Sequence, residues 1–319
     1  MPEPSPQPPH CPPHWVVTGP TASGKTALAP ALAARLDLEI LSMDSMAVYQ
    51  QMDIGTAKPS AAERQQVRHH LIDLVPPRET FDTARWCQAA AQTLDELAAR
   101  GRRALFVGGT PLYLMAFFKG MMEGPAADSA LRAELEAREA AEPGRLHAEL
   151  QKADPEAAAR IHRSDRRRLV RALEVLALTG ATISSQQKHF DRADWQRPCR
   201  IVAIDRDRDE LHARVKVRTE WMLDQGLLDE TEAIERSGGF SPTSGAAIGY
   251  AECRDFLRGR YKDRTELRNR IRRNTHQLIR RQSTWLRRLG PAVVWMSPST
   301  DVAALHAALA TPESGPELR

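Results

Sequence analysis

The sequence has few cysteines, and their spacing forms no pattern. Four occur among 319 residues, at positions 11, 87, 199 and 253, and no two of them make a CxxC pair. Zinc sites and disulfide frameworks depend on paired or closely spaced thiols, so neither is predicted. We expect free thiols in a reducing compartment.

Long apolar runs are also missing. The apolar stretches fall well short of the roughly 20 residues that cross a bilayer, so no membrane span is predicted. The first residues, MPEPSPQPPHCPPH, are too rich in proline to form the apolar helix of a signal peptide. We therefore predict that residues 1–14 are a disordered extension of a soluble, cytoplasmic protein.

The charge balance and the histidines give no strong signal. A formal net charge of +4 is only mildly basic and does not by itself indicate a polyanionic partner. His69 and His70 belong to no metal-ligand pattern such as HExxH, and we interpret them as structural or surface residues.

Short apolar runs alternate with helical patterns along most of the chain, at residues 15–18, 38–43, 71–75, 104–107, 201–204 and 293–296. Such alternation predicts an α/β fold with a mainly parallel sheet covered by helices. From about 125 to 180 the pattern contains helix formers and no strand candidate, which indicates an inserted all-helical domain. We assign the core to 15–121 and 196–298, the insertion to 122–195 and a C-terminal tail to 299–319.

The segment GPTASGKT matches the phosphate-binding P-loop G-x-x-x-x-G-K-[ST], and it lies between a strand pattern and a helical one. Such a loop turns backbone N–H groups towards phosphate oxygens; Lys25 adds a cation and Thr26 is a candidate Mg²⁺ ligand. Phosphate binding is predicted for the whole loop, which comprises Gly19, Pro20, Thr21, Ala22, Ser23, Gly24, Lys25 and Thr26. Pro30 is expected to kink the following helix, since it removes a hydrogen bond.

Polar residues follow two further predicted strands. Asp44 comes after LEILSM, and Thr110 ends VGGT. Because ligands bind at the carboxyl ends of parallel strands, Asp44 is a candidate base or Mg²⁺ ligand, and Thr110 a candidate donor to an anion. Taken alone, Asp44 also fits a helix cap or turn and VGGT a tight turn. Their convergence beside one P-loop favours a binding site.

Three groups of arginines are candidates for anion binding, with a solvated surface as the alternative for each. Arg214 and Arg218 share one helix face, and HRSDRRRLVR at 162–171 is strongly basic. Residues 264–288 form a predicted amphipathic helix whose core stripe comprises Leu267, Ile271, Leu278, Trp285 and Leu289.

Glu266 is the only acidic residue of that predicted helix, so Arg264, Arg268 and Arg272 are expected to form an unpaired row. Like charges four residues apart repel, and a phosphate backbone would relieve the repulsion.

These features indicate phosphate binding without selecting a reaction, since a kinase, an ATPase or a transferase with a diphosphate leaving group would all fit. Five segments together are more specific: the P-loop, DSMAVYQQMDIGTAKP at 44–59, VGGTPLY at 107–113, AAIGYAE at 246–252 and RRQSTWLR at 280–287. In this order they closely resemble the bacterial tRNA dimethylallyltransferases, also called tRNA isopentenyltransferases.

The resemblance implies transfer of a dimethylallyl group from its diphosphate to N6 of the adenine 3′ of the anticodon, in tRNAs that read codons beginning with U. It implies a P-loop kinase-like core, an insertion that helps to hold the anticodon stem-loop, and Mg²⁺; we also expect a monomer. Asp44 would accept the amine proton, while Lys25, Thr110 and Arg218 would stabilise the diphosphate.

The resemblance also implies tRNA contacts in five parts of the chain. They comprise Asp44, Ser45, Met46, Ala47, Thr110, Arg132, Arg167, Arg168, Arg171, Ala246, Ala247, Ile248, Gly249, Tyr250, Arg280, Arg281, Gln282, Trp285 and Arg287. A nucleoside kinase, an isopentenyltransferase that acts on free AMP and a non-enzymatic RNA-binding protein are the alternatives.

Overall fold

The computed structural model describes residues 14–120, 124–186, 195–298 and 301–310. The predicted extension, apart from His14, lies outside the described residues. The chain divides into two compact units, a core unit of Met1–Phe118 with Trp195–Arg319 and an insertion unit of Lys119–Asp194. No helix among the described residues is long and apolar enough to cross a membrane.

A parallel sheet organises the core unit, with six strands in the described residues. They are β1 (His14–Thr18), β2 (Leu38–Ser42), β3 (His69–His70), β4 (Arg103–Val107), β5 (Cys199–Ile204) and β6 (Val293–Met296). Their order is β3-β2-β4-β1-β5-β6, and every neighbouring pair is parallel. The predicted α/β class is confirmed, and the carboxyl ends of the strands meet at one edge.

The helices of the core unit are α1 (Lys25–Arg35), α2 (Ala61–Gln66), α3 (Thr83–Ala99), α4 (Pro111–Phe118), α10 (Arg208–Asp224), α11 (Leu227–Arg236), α12 (Tyr250–Leu257), α13 (Arg264–Arg287) and α14 (Val302–Ala310). Those of the insertion unit are α5 (Ser129–Ala141), α6 (Arg145–Ala153), α7 (Pro155–Arg160), α8 (Arg166–Thr179) and α9 (Ile183–Gln186). Short 3-10 turns occupy Ser244–Ala246 and Gly290–Ala292.

One apolar core joins α1 to the sheet. Leu32 packs with Leu105 of β4 and Ile204 of β5, and all three side chains are fully buried. The same core takes in Leu305 and Leu309 of α14, so part of the predicted C-terminal tail is a packed helix. Burial of both leucines explains why a helix forms in a segment that carries no motif.

The strand predicted at 71–75 is wrong. Leu71 and Asp73 have φ values of 61° and 56°, in the left-handed region that a strand excludes. The apolar residues Leu71 and Val75 are buried within a loop instead, where Val75 forms an isolated bridge to Tyr49. The apolar composition of this run therefore reflects its burial in a loop. The strand β3 lies just before it.

The insertion unit has an apolar core of its own, built from Leu146, Leu150, Leu169, Leu173 and their neighbours. Buried among its helices is Glu174, a fully buried carboxylate. Arg132 donates two hydrogen bonds to Glu174, of 2.7 and 2.9 Å, and Arg171 donates one of 2.7 Å. Burial alone would raise the pKa of Glu174, but these bonds outweigh it and lower the pKa to about 2.

Candidate active site

The P-loop joins β1 to α1 at the carboxyl edge of the sheet. A Cβ at Gly19 would lie 2.8 Å from Ser23 Oγ and 2.9 Å from the carbonyl oxygen of Ile204, and the φ of 142° also favours glycine. Gly24 is the N-cap of α1, which places Lys25 and Thr26 in the first turn. The first N–H groups of a helix have no acceptor within it, so this turn suits an anion. α1 continues through Pro30 to Arg35.

Lys25 is half-buried and donates to the carbonyl oxygen of Pro20 at 3.2 Å. Burial lowers its pKa to about 8; the Asp44 carboxylate opposes this shift, and the Arg218 guanidinium adds to it. An anion placed beside Lys25 would favour the charged ammonium form again.

Asp44 lies directly beyond β2. Its Oδ1 accepts hydrogen bonds from the N–H groups of Met46 at 2.8 Å and Ala47 at 3.3 Å, which makes a local turn. Asp44 therefore forms the turn and also belongs to the candidate site. The turn uses only one of its carboxylate oxygens, and the residue lines two cavities.

Thr110 lies beyond β4, close to Asp44. Its N–H donates to the carbonyl oxygen of Met43 at 3.2 Å, and its Oγ1 accepts from the N–H of Ser45 at 3.1 Å. Because Oγ1 is the acceptor in that bond, the hydroxyl proton is available to an anion. Gly108 makes the approach possible, since a Cβ there would lie 2.1 Å from the Met43 oxygen.

Three arginines lie beside the P-loop, one in the loop after β5 and two on α10. Arg218 is half-buried and donates to the carbonyl oxygen of Thr56 at 3.5 Å. Burial lowers its pKa, against the pull of Asp44. Arg214 donates to the carbonyl oxygen of Ala22 at 2.7 Å, and Arg206 to that of Ser23 at 3.1 Å. Arg206 was not predicted; its place just after a parallel strand was the available signal.

Two cavities, of about 220 and 340 Å³, share part of their lining. The shared residues are Thr21, Ala22, Lys25, Asp44, Thr56 and Arg218. The smaller cavity extends past Thr110 to apolar residues such as Ile248, and the larger one extends past Thr26 to Lys58. The charged groups therefore lie where the two cavities meet.

Comparison with known proteins decides the family. A model described as IPP transferase matches residues 47–289. A tRNA dimethylallyltransferase from Azoarcus sp. (strain BH72) is 46% identical over 283 residues, which cover 86% of this chain and 87% of that protein. Another, from Anaeromyxobacter dehalogenans (strain 2CP-C), is 46% identical over 293 residues, 91% of this chain and 96% of that protein.

A solved structure agrees. The crystal structure of a tRNA isopentenylpyrophosphate transferase from Bacillus halodurans matches with a TM-score of 0.66 and 36% identity, over 92% of this chain and 94% of that one. The chain belongs to the IPP transferase family. It is therefore an enzyme of the transferase class, and the family predicted from the five segments is confirmed.

Ion pairs made by one buried lysine help to hold the family block DSMAVYQQMDIGTAKP in place. Lys58, whose side chain is 1% exposed, contacts Asp53 at 2.7 Å and Asp73 at 2.6 Å. Glu230 accepts from the N–H groups of Asp53 and Ile54 at 3.1 Å each. These contacts hold the 53–56 loop in place. The carbonyl oxygen of Thr56 in this loop accepts the hydrogen bond from Arg218.

Tyr250, which was predicted to contact tRNA, is fully buried. Its hydroxyl donates to Glu230 and accepts from the N–H of Gly55 at 3.1 Å. Gly55 permits this approach, since a Cβ there would lie 2.3 Å from the Tyr250 ring. In the described residues Tyr250 thus anchors the 53–56 loop, and its contact with tRNA stays a prediction.

The other predicted tRNA residues of the core unit occupy three places. Those that line the smaller cavity, with Asp44 and Thr110, are Ser45, Met46, Ala247, Ile248 and Gln282. Ala47 is buried, Ala246 ends a 3-10 turn, and Gly249 is the N-cap of α12. On α13, Arg280, Arg281 and Arg287 are exposed and Trp285 is half-buried.

The predicted tRNA arginines of the insertion unit fall into two pairs. Arg167 and Arg168 are exposed near the beginning of α8. Arg132 and Arg171 instead neutralise Glu174. Glu174 was not predicted. The signal available in the sequence was its position three residues after Arg171 on one helix, a spacing that allows an ion pair.

Two predictions for α13 need correction. Its buried residues are Leu267, Ile271, Ile279, Gln282 and Leu286, whereas Leu278, Trp285 and Leu289 are half-buried. The arginine row is also partly paired, because Glu220 of α10 contacts Arg268 at 3.0 Å and contacts Arg272 as well. A neighbouring helix thus supplies this row of arginines with a carboxylate.

Proposed function

We propose that the protein transfers a dimethylallyl group from dimethylallyl diphosphate to N6 of the adenine 3′ of the anticodon, in tRNAs that read codons beginning with U. The dimethylallyl group and the tRNA are inferred from the names of the relatives. The observation that carries the proposal is that Lys25, Asp44 and Arg218 lie where two cavities share their lining. Two substrates that enter from different sides would meet at these groups.

The diphosphate is proposed to bind the P-loop. The first turn of α1 offers N–H groups, Lys25 and Arg218 offer positive charge, and Thr110 offers a hydroxyl proton. These donors are held before the substrate arrives, so they stabilise charge that develops on the leaving group without reorganising.

Mg²⁺ is proposed as the cofactor. The hydroxyl of Thr26 lines the larger cavity beside Lys25, and a hydroxyl at this position of a P-loop is a ligand that Mg²⁺ takes together with substrate phosphates. When bound, the ion supplies positive charge that neutralises diphosphate oxygens.

The reaction breaks the allylic C1–O bond and forms a bond between C1 and N6 of adenine. The electron pair of the broken bond leaves with the diphosphate, against Lys25 and Arg218. Nitrogen gains a positive charge as it forms its new bond, and its proton passes to Asp44. The carboxylate suits this role because the exocyclic amine is a weak nucleophile.

The adenine must leave its stack to reach Asp44. Met46, Ala247 and Ile248 line the smaller cavity and offer apolar surface to an unstacked base. The insertion unit is proposed to help hold the anticodon stem-loop through Arg167 and Arg168, which are exposed. We expect the enzyme to act as a monomer, which its mass in solution would check.

Labelled dimethylallyl diphosphate and unmodified tRNA test the proposal. After incubation, nuclease digestion and mass spectrometry should locate the label on the adenine 3′ of the anticodon. Free AMP serves as the competing acceptor, and ATP hydrolysis without prenyl diphosphate as the competing activity. Label on AMP alone, or ATP turnover without any labelled tRNA, would contradict the proposal.

A further inference from the structure

Gln282 of α13 links two loops of the candidate site. Its side chain is buried, with 9% of the residue exposed. Oε1 accepts from the N–H of Thr21 in the P-loop at 2.8 Å, and Nε2 donates to the carbonyl oxygen of Gly109 at 2.5 Å. One carboxamide therefore joins the loop after β1 to the loop after β4.

The two loops need such a link because the strand pairing ends before them. β1 and β4 are paired from Trp15–Leu105 to Val17–Val107, and the Gly108 N–H adds one bond to the Val17 oxygen. Thr21 and Gly109 lie beyond these bonds. A carboxamide suits the gap, because it presents an acceptor and a donor in one plane.

Gly109 is adapted to this contact. A Cβ at Gly109 would lie 2.9 Å from Nε2 of Gln282 and 3.3 Å from Nζ of Lys25. A side chain there would displace either the amide or the lysine. The second glycine of VGGT thus leaves room for both groups.

We infer that Gln282 is a positioning residue that holds the P-loop and the 108–110 loop in register, so that Lys25 and Thr110 act on one diphosphate. This inference rests on the proposed function. It differs from the tRNA contact that the resemblance implies, because both polar atoms of the amide are engaged inside the protein. Misplacement of a catalytic group by about 1 Å lowers rates by up to roughly 10²-fold, which sets the expected effect.

Gln282→Met keeps the length of the side chain and removes both hydrogen bonds. At saturating substrates we expect kcat to fall about 10- to 100-fold, with weaker binding of inorganic diphosphate in titration calorimetry. The Kd for tRNA alone should stay within about twofold. Gln92→Met is the matched control, because Gln92 is exposed on α3, and it should leave all three quantities unchanged.

Gln282→Glu adds a signature that a merely structural role would lack. The protonated acid can donate to the Gly109 oxygen and accept from the Thr21 N–H as the amide does, whereas the carboxylate cannot donate. The rate of this variant relative to wild type should therefore rise as the pH falls. Circular dichroism confirms that each variant is folded.

Wild-type kcat in Gln282→Met would overturn the inference, as would a flat pH ratio for Gln282→Glu. Loss of tRNA affinity with unchanged kcat would overturn it too, and would assign Gln282 to direct RNA contact. If wild type transfers no label, the proposed function fails by itself. Titration of inorganic diphosphate then still decides the inference, since equal affinity in wild type and Gln282→Met would refute it.

Discussion

Arginines with the same charge have different surroundings in the two units. In the insertion unit Arg132 and Arg171 form hydrogen-bonded ion pairs with the buried Glu174. In the core unit Arg218, Arg214 and Arg206 donate to the backbone carbonyls of the loops around the cavities. A carbonyl orients a guanidinium without cancelling its charge, whereas a carboxylate does both.

The difference separates binding arginines from structural ones. A guanidinium whose charge is already neutralised gains little from a phosphate, because the pair must first be broken. Arg218 keeps its charge for a ligand. Arg206 is an intermediate case, because its guanidinium also forms an ion pair with Glu210. Changes at the candidate site, at Glu174 and on α13 test this contrast and the site beside it, from the largest expected effect to the smallest.

Asp44→Asn should lower the single-turnover rate by about 10²- to 10⁴-fold, the usual range for a positioned general base. The asparagine oxygen can still accept from the Met46 and Ala47 N–H groups, so the turn survives while the base is lost. Asp95→Asn, on the exposed face of α3, is the control. A rate near wild type would show that Asp44 is not the base.

Lys25→Ala should lower turnover by roughly 10²- to 10³-fold, as for the loss of one donor to a developing anion. tRNA binding, measured by filter retention, should change little, and Lys216→Ala, at an exposed position of α10, serves as control. An equal loss of turnover and of tRNA binding would contradict the assignment of Lys25 to the diphosphate.

The lowered pKa of Lys25 adds a pH dependence with a definite sign. In the free protein the ammonium form is lost as the pH rises through about 8. Affinity for inorganic diphosphate should therefore fall above that pH, and in Lys25→Arg this fall should disappear. A pH-independent wild-type affinity would rule out Lys25 as the titrating contact.

Glu174→Ala should destabilise the insertion unit by about 2 kcal/mol, because it leaves two partly exposed arginines without their carboxylate. Hydrogen exchange across residues 124–186 of the full chain measures the effect. Glu156→Ala removes an exposed pair with Arg160 at 3.6 Å and should cost at most about 1 kcal/mol. Equal effects would refute the structural role of Glu174.

Because the folded-state pKa of Glu174 is depressed to about 2 from 4.5, its stabilisation is present above pH 4.5. It should be lost as the pH falls from 4.5 towards 2. Glu174→Ala should lack this part of the acid sensitivity.

Arg273→Gln should weaken tRNA binding slightly and reduce the salt slope by about 0.7 to 0.9 if one phosphate contact is lost. Arg268→Gln should change the slope less, since Glu220 already neutralises Arg268. The triple change of Arg268, Arg272 and Arg273 should then resemble Arg273→Gln alone. Equal slopes for both single variants would show that the Glu220 pairs open for RNA.

Sequence motifs located most of the candidate site because its groups follow parallel strands. The P-loop after β1, Asp44 after β2 and Thr110 after β4 could be placed at one edge of the sheet from the sequence alone. Five of the six predicted strands correspond to observed ones. The strand predicted at 71–75 was wrong because a buried loop and a buried strand share apolar composition.

Long-range partners could not be predicted in the same way. Gln282 reaches Thr21 across 261 positions, and Glu230 meets the 53–54 loop across about 177. No local pattern encodes such a pair, and a glutamine on an arginine-rich helix looks like a surface residue. Glu220 is a similar case, since its effect on Arg268 depends on the packing of α10 against α13.

The sequence by itself determined the family, the parallel α/β class and the chemical groups at the strand ends, because these depend on local motifs and periodicity. The tertiary structure alone decided which arginines are neutralised, which glutamine joins the two loops and which apolar segment is a loop. Those outcomes depend on charges and hydrogen-bonding groups brought together from distant parts of the chain, where burial makes each pairing strong.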